Sequence, residues 1–472
     1  MRRFWMIQMF DGTSGELHAD AIVPSTSTPG GENEAFHRAL ELVRNLKVTP
    51  ISRKPLPWRV NPPRNQPYPD MRYPSLGYRL LAVFRIWNVI HYFFAYPDLI
   101  EGSWDTVLKE FIPKMEAARD SSEYGLTLAE MRTHLPDAHG SIAIGKALSG
   151  MIGPAGAPVS SLLIEGTPVI TSYLDEPVAR KAGVEIGDTI VAVNGEDAGA
   201  RIARLAQYIP AANPEQRMSL ITQFLFLKSP AAKEVRLKIR DKMDRIIDVT
   251  LPLSADYNGT LRTGDIVKLI PNNIGYADLD RLTVPMVDSL FEKLRDTKGI
   301  IFDLRGYPHE TALIIASHLE RQNSAPACEA DLAAFLPYPQ PSIPKVTTCY
   351  PLPRPFESTY KGKVVVLINE ICQSQSEAAV WTFKALGATL VGSHTAGVCG
   401  SANTFYVPGG IPISFTDSTH TYPDGRPWNP IGFVPDIEVK PTIAGVRAGR
   451  DEVLDKAVQY LQQETGTGAA KK

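Results

Sequence analysis

The spacing of apolar and polar residues divides the chain into a helical, a β-rich and a mixed segment. From Tyr78 the pattern is helical, with apolar side chains on one face at spacings of three and four. These side chains are Leu80, Val83, Phe84, Trp87, Ile90 and Phe94. Further helices are predicted at about Trp104–Arg119 and Leu126–Leu135. We expect a small helical subdomain over residues 76–150, with the aromatic stripe in its core.

Residues 157–255 are predicted to form a β-rich domain around a helix at Pro177–Ala182. The expected strands are Ser161–Leu163, Val169–Tyr173, Thr189–Val193, Glu234–Ile239 and Arg245–Leu251. Within the segment Ala182–Ala198, a Gly-Asp turn leads into a strand that ends at Asn-Gly. This segment resembles the core of a PDZ-like domain, a module that binds peptide ends by adding them as a strand. A purely structural insert is the alternative.

Residues 260–465 show strands and helices in alternation. The predicted strands are Gly299–Asp303, Lys363–Asn369 and Thr389–Gly392, and helices are predicted at His309–Glu320 and Ala378–Leu386. This order favours an α/β core of stacked βαβ units around a buried sheet. Reactive groups are then expected on the turns at the carboxyl ends of the strands.

The two ends of the chain carry weaker signals. Residues 1–75, with a helical pattern at Glu34–Asn45, are predicted to be an extended arm or the remnant of an upstream domain. Residues 466–472 are predicted to be a disordered tail. Asp11 interrupts the first apolar run too early for a signal peptide, and Leu80–Tyr96 is too short and too polar to span a bilayer. We therefore expect a soluble protein of unknown compartment, with a missing leader as the alternative.

Composition excludes some functions. The 472 residues are 44% hydrophobic and 21% charged, with a formal net charge of −2, so a nucleic-acid partner is not expected. The four cysteines form no CxxC motif, and no His, Asp or Glu cluster has metal-ligand spacing. No metal or cofactor is predicted. Cys328 and Cys349 flank a proline-rich loop and are either a disulfide or two free thiols.

The segment Val364–Glu377, with the sequence VVVLINEICQSQSE, is the strongest chemical signal. A β-branched run ends in a small polar turn before a helix, which exposes a serine beside the N–H groups of the first helical turn. Nucleophilic serines in acyl transfer need such a place, because those N–H groups and the helix dipole favour negative charge. A simple helix cap is the alternative.

Six motifs, in this order, resemble the family of C-terminal processing (tail-specific) serine peptidases. That family also includes the tricorn core and the interphotoreceptor retinoid-binding modules. The motifs are Leu135–His139, the Gly187–Gly195 segment, Phe302–Gly306, Ser374–Glu377, Gly392–Gly397 and Gly432–Asp436. The resemblance covers residues 78–460 and implies a crotonase-like or ClpP-like core with an inserted PDZ-like domain.

The resemblance also implies roles for individual residues. The family's nucleophile lies three residues before the glutamate, which here selects Ser374 over the alternative nucleophile Ser376. Ser376 is expected to cap the helix. The oxyanion hole would use the backbone N–H groups of Gly306 and Gln375.

Members of the family differ in their general base. The processing branch uses a lysine at the place of Val398, but no lysine occurs from Ala385 to Val439. The tricorn-like branch uses a histidine before the PDZ insert, and His139 stands at that place. His139 is therefore the expected base for Ser374.

The residue that orients His139 is left open by the sequence. The neighbouring serine of the tricorn-like site is replaced by Ala138, and Asn429 stands at the glutamate position, three residues before Gly432. Asn429 and Asp137 are both candidates. Among the other histidines considered, His309, His91 and His318 are expected to be surface or packing residues. His394 is expected to be a loop histidine, with a substrate-loop residue or an alternative base as the other interpretation.

The function expected from the resemblance is a serine endopeptidase acting on unfolded or C-terminal polypeptide, with the PDZ-like domain holding or gating the substrate. Two alternatives remain open: a non-catalytic ligand-binding protein, as in the retinoid-binding relatives, or a peptide-binding scaffold. The sequence leaves the oligomeric state open. Members of the family are often extracytoplasmic.

Overall fold

The computed structural model describes residues 68–140, 148, 150–229, 233–257, 262–319, 359–400, 402–417 and 432–464. It also gives the backbone of 465–467 and of five further strands, which are named below. Most of the predicted arm lies outside the described residues, as do its helix at Glu34–Asn45, Cys328 and Asn429.

In the N-terminal part the structure describes one strand pair and three α-helices. Strands β1 (Phe4–Ile7) and β2 (Ala21–Pro24) pair antiparallel. The helices are α1 (Leu76–Phe93), α2 (Trp104–Ala117) and α3 (Ser121–Arg132). Helix α3 begins five residues before the predicted start, because Asp120 caps it by accepting hydrogen bonds from the N–H groups of the first turn.

Residues 159–252 form an antiparallel sheet in the order β3-β4-β5-β7-β8, with β6 paired to β5. Its strands are β3 (Val159–Ile164), β4 (Thr167–Tyr173), β5 (Thr189–Val193), β6 (Glu196–Asp197), β7 (Glu234–Arg240) and β8 (Ile246–Pro252). Its helices are α4 (Glu176–Lys181), α5 (Ala198–Ala206) and α6 (Pro214–Leu220). All five predicted strands are present, whereas α5 and α6 were not predicted.

The remainder of the chain builds an α/β core. Its strands are β9 (Val267–Ile270), β10 (Ile274–Asp278), β11 (Gly299–Asp303), β12 (Glu329–Leu332), β13 (Val346–Cys349), β14 (Lys363–Ile368), β15 (Thr389–Gly392), β16 (Ala402–Val407), β17 (Ile411–Thr416), β18 (Ser418–His420) and β19 (Ile437–Glu438). Its helices are α7 (Val287–Leu294), α8 (Thr311–His318), α9 (Gln375–Ala385), α10 (Ile443–Arg447) and α11 (Glu452–Thr467).

The central sheet has the order β19-β15-β14-β11-β10-β9, and only the β9–β10 pair is antiparallel. One face packs on α7, α8 and α9, and the other packs on α11. The strands are near-continuous apolar runs because helices cover both faces. Full burial of each large apolar side chain contributes roughly 1.5–3 kcal/mol. The predicted α/β core is confirmed.

The helical region shares its apolar core with the β16–β17 hairpin. Its core includes Phe405, Val407, Ile413 and Phe415 from the β16–β17 hairpin. The buried Arg132 side chain of α3 donates a hydrogen bond to the carbonyl of Ser414. This packing places the end of β17 beside residues 137–140.

Further helix boundaries differ from the sequence prediction. Helix α8 begins at Thr311 rather than at His309, after a left-handed Glu310. Helix α11 extends to Thr467, so the first two residues of the predicted disordered tail are helical, and residues 468–472 lie outside the described part of the chain. In the described residues no helix is both long and apolar enough to cross a membrane.

Gly392, at the end of β15, is expected to tolerate no side chain. Its φ is +134°, and a Cβ there would lie 2.0 Å from the backbone oxygen of Ile368. Gly387 also has positive φ but open space around it, so it is a matched control. We expect Gly392→Ala to lower the free energy of unfolding by about 3 kcal/mol or more, and Gly387→Ala by about 1 kcal/mol. Urea denaturation measures both, and equal losses would contradict the steric argument.

Candidate active site

The candidate site lies at the carboxyl ends of three neighbouring parallel strands. Strands β11, β14 and β15 are paired in register, so the turns that follow them lie side by side. Gly306 follows β11, Ser374 follows β14, and the loop 393–399 follows β15. This edge is where an α/β sheet places reactive groups.

Ser374 occupies a strained turn between β14 and α9. Its φ of 54° and ψ of −115° are sparsely populated for a residue with a side chain. Its N–H donates to the carbonyl of Val398 at 2.7 Å, which fixes the turn from the neighbouring loop. The half-buried hydroxyl makes no hydrogen bond to any described residue. A serine on a sharp strand-to-helix turn is the arrangement of the nucleophile elbow.

Ser376 is held differently from Ser374. Its side chain is fully buried, and its hydroxyl donates to the carbonyl of Gly306 at 2.9 Å. The expectation that Ser376 caps helix α9 is wrong, because Ser376 lies inside the helix. Ser374 is at the cap position, but its side chain makes no capping hydrogen bond. The Ser376 hydroxyl instead ties α9 to the turn after β11.

The two expected oxyanion donors differ in availability. The Gln375 N–H, at the first residue of α9, donates to no described residue. The Gly306 N–H donates to the carbonyl of Leu304 at 2.7 Å. A Cβ on residue 306 would lie 2.5 Å from Asp280 Oδ1, so the close packing here requires glycine.

Buried ion pairs fix the turn that carries Gly306. The Arg305 guanidinium lies 2.7 Å from a carboxylate oxygen of Asp303 and 2.7 Å from one of Asp451. Arg262 pairs with Asp278 at 2.7 Å on the next strand. Burial opposes the ionisation of Asp303, but the charge of Arg305 and its hydrogen bonds outweigh burial, so the pKa of Asp303 lies well below its usual range.

Glu377, in the first turn of α9, anchors the loop after β15. Its side chain is fully buried and accepts hydrogen bonds from the Thr395 hydroxyl, from the Gly397 N–H at 2.8 Å and from the Val398 N–H at 2.7 Å. Burial raises the pKa of Glu377 to about 7, although these hydrogen bonds and the charge of His139 oppose the rise. Glu377 therefore positions the Val398 carbonyl that holds Ser374.

His139 lies in a short 3-10 turn, Ala138–Gly140, and is buried. Its Nδ1 is 2.6 Å from the hydroxyl oxygen of Thr416 on β17. The Thr416 hydroxyl in turn donates to Asp137 Oδ1 at 2.9 Å, and the Thr416 N–H donates to Asp137 Oδ2 at 2.7 Å. The three side chains form one buried chain, Asp137–Thr416–His139.

The hydrogen-bond chain assigns the tautomer of His139. The Thr416 hydroxyl has one proton, and an ionised Asp137 can only accept it. The His139 Nδ1 must therefore carry a proton and donate it to Thr416. In the neutral ring this leaves Nε2 unprotonated, as a general base requires. Nε2 is buried and has no hydrogen-bond partner among the described residues.

Asp137 is held in the ionised form. Burial opposes its ionisation, but the nearby charges of His139 and Arg132 and the hydrogen bond from the Thr416 N–H together lower the pKa of Asp137. Arg132 is itself buried, and one of its terminal nitrogens has no partner. Asp137 is 3.6 Å from the His139 Nδ1, so the Thr416 hydroxyl provides the direct contact.

The structure brings the two halves of the site close without joining them by a hydrogen bond. Ala138, next to His139, packs with Val398, whose carbonyl holds the Ser374 N–H. His139 is also close enough to Glu377 for its positive charge, when protonated, to lower the pKa of that carboxyl. Since Nε2 is unpartnered, no hydrogen bond links it to the Ser374 hydroxyl here, as is frequent in substrate-free active sites.

The four other histidines considered make contacts outside this hydrogen-bond chain. Asn429 is outside the described residues. His394 Nδ1 contacts the carbonyl of Thr395, its own neighbour, at 2.9 Å. His309 contacts a backbone carbonyl, while His318 stacks on Phe291 and His91 stacks on Trp87. No metal-ligand cluster occurs among the residues the structure describes.

Glu377→Gln is expected to flatten the pH dependence of stability. The folded pKa of about 7 exceeds the ordinary value of 4.5, so this group's contribution is fully present below about pH 4.5 and is lost as the pH rises through about 7. The free energy of unfolding of the wild type, minus that of E377Q, should fall by about 1–3 kcal/mol from pH 5 to pH 8. Urea titrations across this range measure it, with the exposed Glu438→Gln as control. Parallel curves for E377Q and the wild type would contradict the assignment.

Comparisons with known proteins bear on the fold and on the family. Residues 273–439 match the model of peptidase family S41. Among curated proteins no match is found. Mature CPAF superposes with a TM-score of 0.61 at 14% identity, covering 83% of this chain and 98% of its own. Its complex with lactacystin gives a TM-score of 0.63 at 14% identity, covering 82% and 98%.

The photosystem II D1 C-terminal processing protease matches with a TM-score of 0.46 at 17% identity, covering 77% of this chain and 93% of its own. At these identities the structural similarity supports the fold alone, while the family match covers the strands and turns that carry Gly306 and Ser374. The resemblance found in the sequence is thereby confirmed. The match of residues 273–439 to peptidase family S41 identifies the chain as a serine-type peptidase.

Proposed function

We propose that the chain is an endopeptidase acting on unfolded or C-terminal polypeptide, with Ser374 as nucleophile and His139 as general base. One observation carries the proposal: the buried Asp137–Thr416 pair leaves His139 Nε2 unprotonated and unpartnered. A Ser–Lys dyad is unsupported, because no lysine occurs from Ala385 to Val439.

The proton transfers follow from this arrangement. His139 Nε2 takes the proton of the Ser374 hydroxyl as Oγ attacks the substrate carbonyl, and the resulting imidazolium is stabilised by Asp137 through Thr416. His139 then returns the proton to the leaving amine, and the acyl-enzyme forms. Water, activated by the same histidine, releases the acyl group.

The oxyanion would be stabilised at the start of α9. The unengaged Gln375 N–H adjoins the nucleophile, and the helix dipole favours negative charge at this end. Gly306 can supply a second N–H only by leaving the Leu304 carbonyl, so we propose that substrate binding opens that hydrogen bond. Each such donor is typically worth about 3 kcal/mol in the transition state.

Thr416 and Asp137 take the places that a neighbouring serine and a distant glutamate hold in the tricorn-like site. A hydroxyl again lies between the imidazole and a carboxylate, although it comes from β17 rather than from the residue before the histidine. Of the two candidates that the sequence left open, Asp137 is the orienting residue that we propose.

The antiparallel sheet of residues 159–252 is the proposed substrate-holding domain. Its strand order and its Gly187-Asp188 turn suit a PDZ-like module, which takes a peptide as an added strand. The proposed partner is thus an extended polypeptide segment.

A fluorophosphonate serine probe should label Ser374 in the wild type. Ser374→Ala should lose the label and reduce peptidase activity by about 10³-fold or more, because no other described hydroxyl shares its place. Ser376→Ala is the matched control and should keep the adduct. Peptide mass mapping locates it, and an adduct on Ser376 would contradict the choice of nucleophile.

Thr416→Val tests the hydrogen-bond chain. Valine keeps the shape but removes the hydroxyl, so Nδ1 loses its acceptor and the tautomer is no longer fixed. We expect kcat/KM to fall by roughly 10²–10⁴-fold. Thr416→Ser, which keeps the hydroxyl, should retain most activity. Equal activity of the valine and serine variants would refute the role of Thr416.

A further inference from the structure

A segment of the inserted domain contacts both halves of the proposed catalytic site. This bridging segment, residues 211–216, leads into α6. Its first residue pairs in a parallel bridge with Pro136, the residue before Asp137. Its second residue packs in an apolar cluster with Ala138, Ala396 and Val398. The inserted domain thus contributes residues to the surroundings of both His139 and Ser374.

Gln216 makes the most direct of these contacts. Its side chain is fully buried, with Oε1 accepting the Ala212 N–H at 2.9 Å and Nε2 donating to Gln373 Oε1 at 3.0 Å. Because the Ala212 N–H can only donate, the orientation of the Gln216 amide is fixed and its NH₂ must face Gln373. Gln373 directly precedes Ser374.

Asn213 makes a second contact from the same segment. Its Oδ1 caps α6 by accepting the Gln216 N–H at 2.8 Å, and its Nδ2 donates to the carbonyl of Ala396 at 2.9 Å. The Ala396 N–H in turn donates to the carbonyl of Cys372 at 2.9 Å. The segment therefore holds both the turn before the nucleophile and the loop that faces it.

The strained backbone of Ser374 requires such support. A residue in this region of φ and ψ keeps its conformation only where surrounding contacts over-determine it. The Val398 carbonyl fixes the N–H of Ser374 on one side. The amide of Gln216 fixes the side chain of the preceding residue on the other.

We propose that Gln216 is a positioning residue for the nucleophile: through Gln373 it holds the turn in which Ser374 attacks, so that the inserted domain completes the peptidase site. The inference rests on the proposed role of Ser374. It assigns the inserted domain a part in catalysis that is separate from substrate binding.

Methionine substitutions test the contact, since methionine fills similar space without hydrogen bonds. We expect Gln216→Met and Gln373→Met each to slow fluorophosphonate labelling of Ser374 and to lower kcat by about tenfold or more, with little change in KM. The double variant should be no slower than the slower single one, because both remove the same hydrogen bond. Gln373→Glu keeps an acceptor for Gln216 and should restore labelling. Glu215→Met, on the exposed side of α6, is the matched control.

The outcomes separate this inference from the proposed function. Wild-type labelling rates in folded Q216M and Q373M, or additive losses in the double variant, would overturn the inference and leave Ser374 in place. A wild type without an adduct on Ser374 would overturn the proposed function and the inference with it. Q216M leaves the Ala212 N–H buried without an acceptor; should it fail to fold, Q373M against Q373E decides alone.

Discussion

The buried carboxylate of Glu377 is the interaction on which the candidate site depends. It lies on α9, after β14, yet it accepts three hydrogen bonds from the loop after β15. That loop presents the Val398 carbonyl, which receives the N–H of Ser374. The strand-to-helix turn after β14 and the loop after β15 thereby become one rigid unit. The strain at Ser374 is tolerated because this unit leaves the backbone no relaxed alternative.

The catalytic groups of this site come from distant parts of the chain. The nucleophile and the first oxyanion donor belong to the α/β core, whereas His139 and Asp137 follow the N-terminal helices and Thr416 ends the β16–β17 hairpin. The hairpin and the helices share one apolar core, and this packing brings Thr416 to His139. The proposed mechanism therefore requires the helical region to pack on the core. In addition, Gln216 of the inserted domain supports the turn that carries Ser374.

The regular core was largely predicted from the sequence, whereas the hydrogen-bond chain Asp137–Thr416–His139 was not. Strands β5, β11 and β15 were predicted with their observed bounds, because continuous apolar runs between glycine or polar turns have few other structures. Ser374, Gly306 and His139 stood out through motifs. Thr416 could not be found, since it belongs to no motif and meets its partners only through contacts 277 and 279 residues apart. Gln216 was missed because helix α6 is short and carries no periodic signal.

The most direct measurement of the central claim is the tautomer of His139. Long-range ¹H–¹⁵N correlation spectra of protein labelled with ¹⁵N-histidine, with His139→Ala for assignment, report which ring nitrogen carries the proton while the ring is neutral. We predict a protonated Nδ1 and an unprotonated Nε2, since the Thr416 hydroxyl donates its only hydrogen bond to Asp137. A neutral His139 with the proton on Nε2 would contradict the proposed hydrogen-bond chain, because Nε2 could then not accept the proton of Ser374.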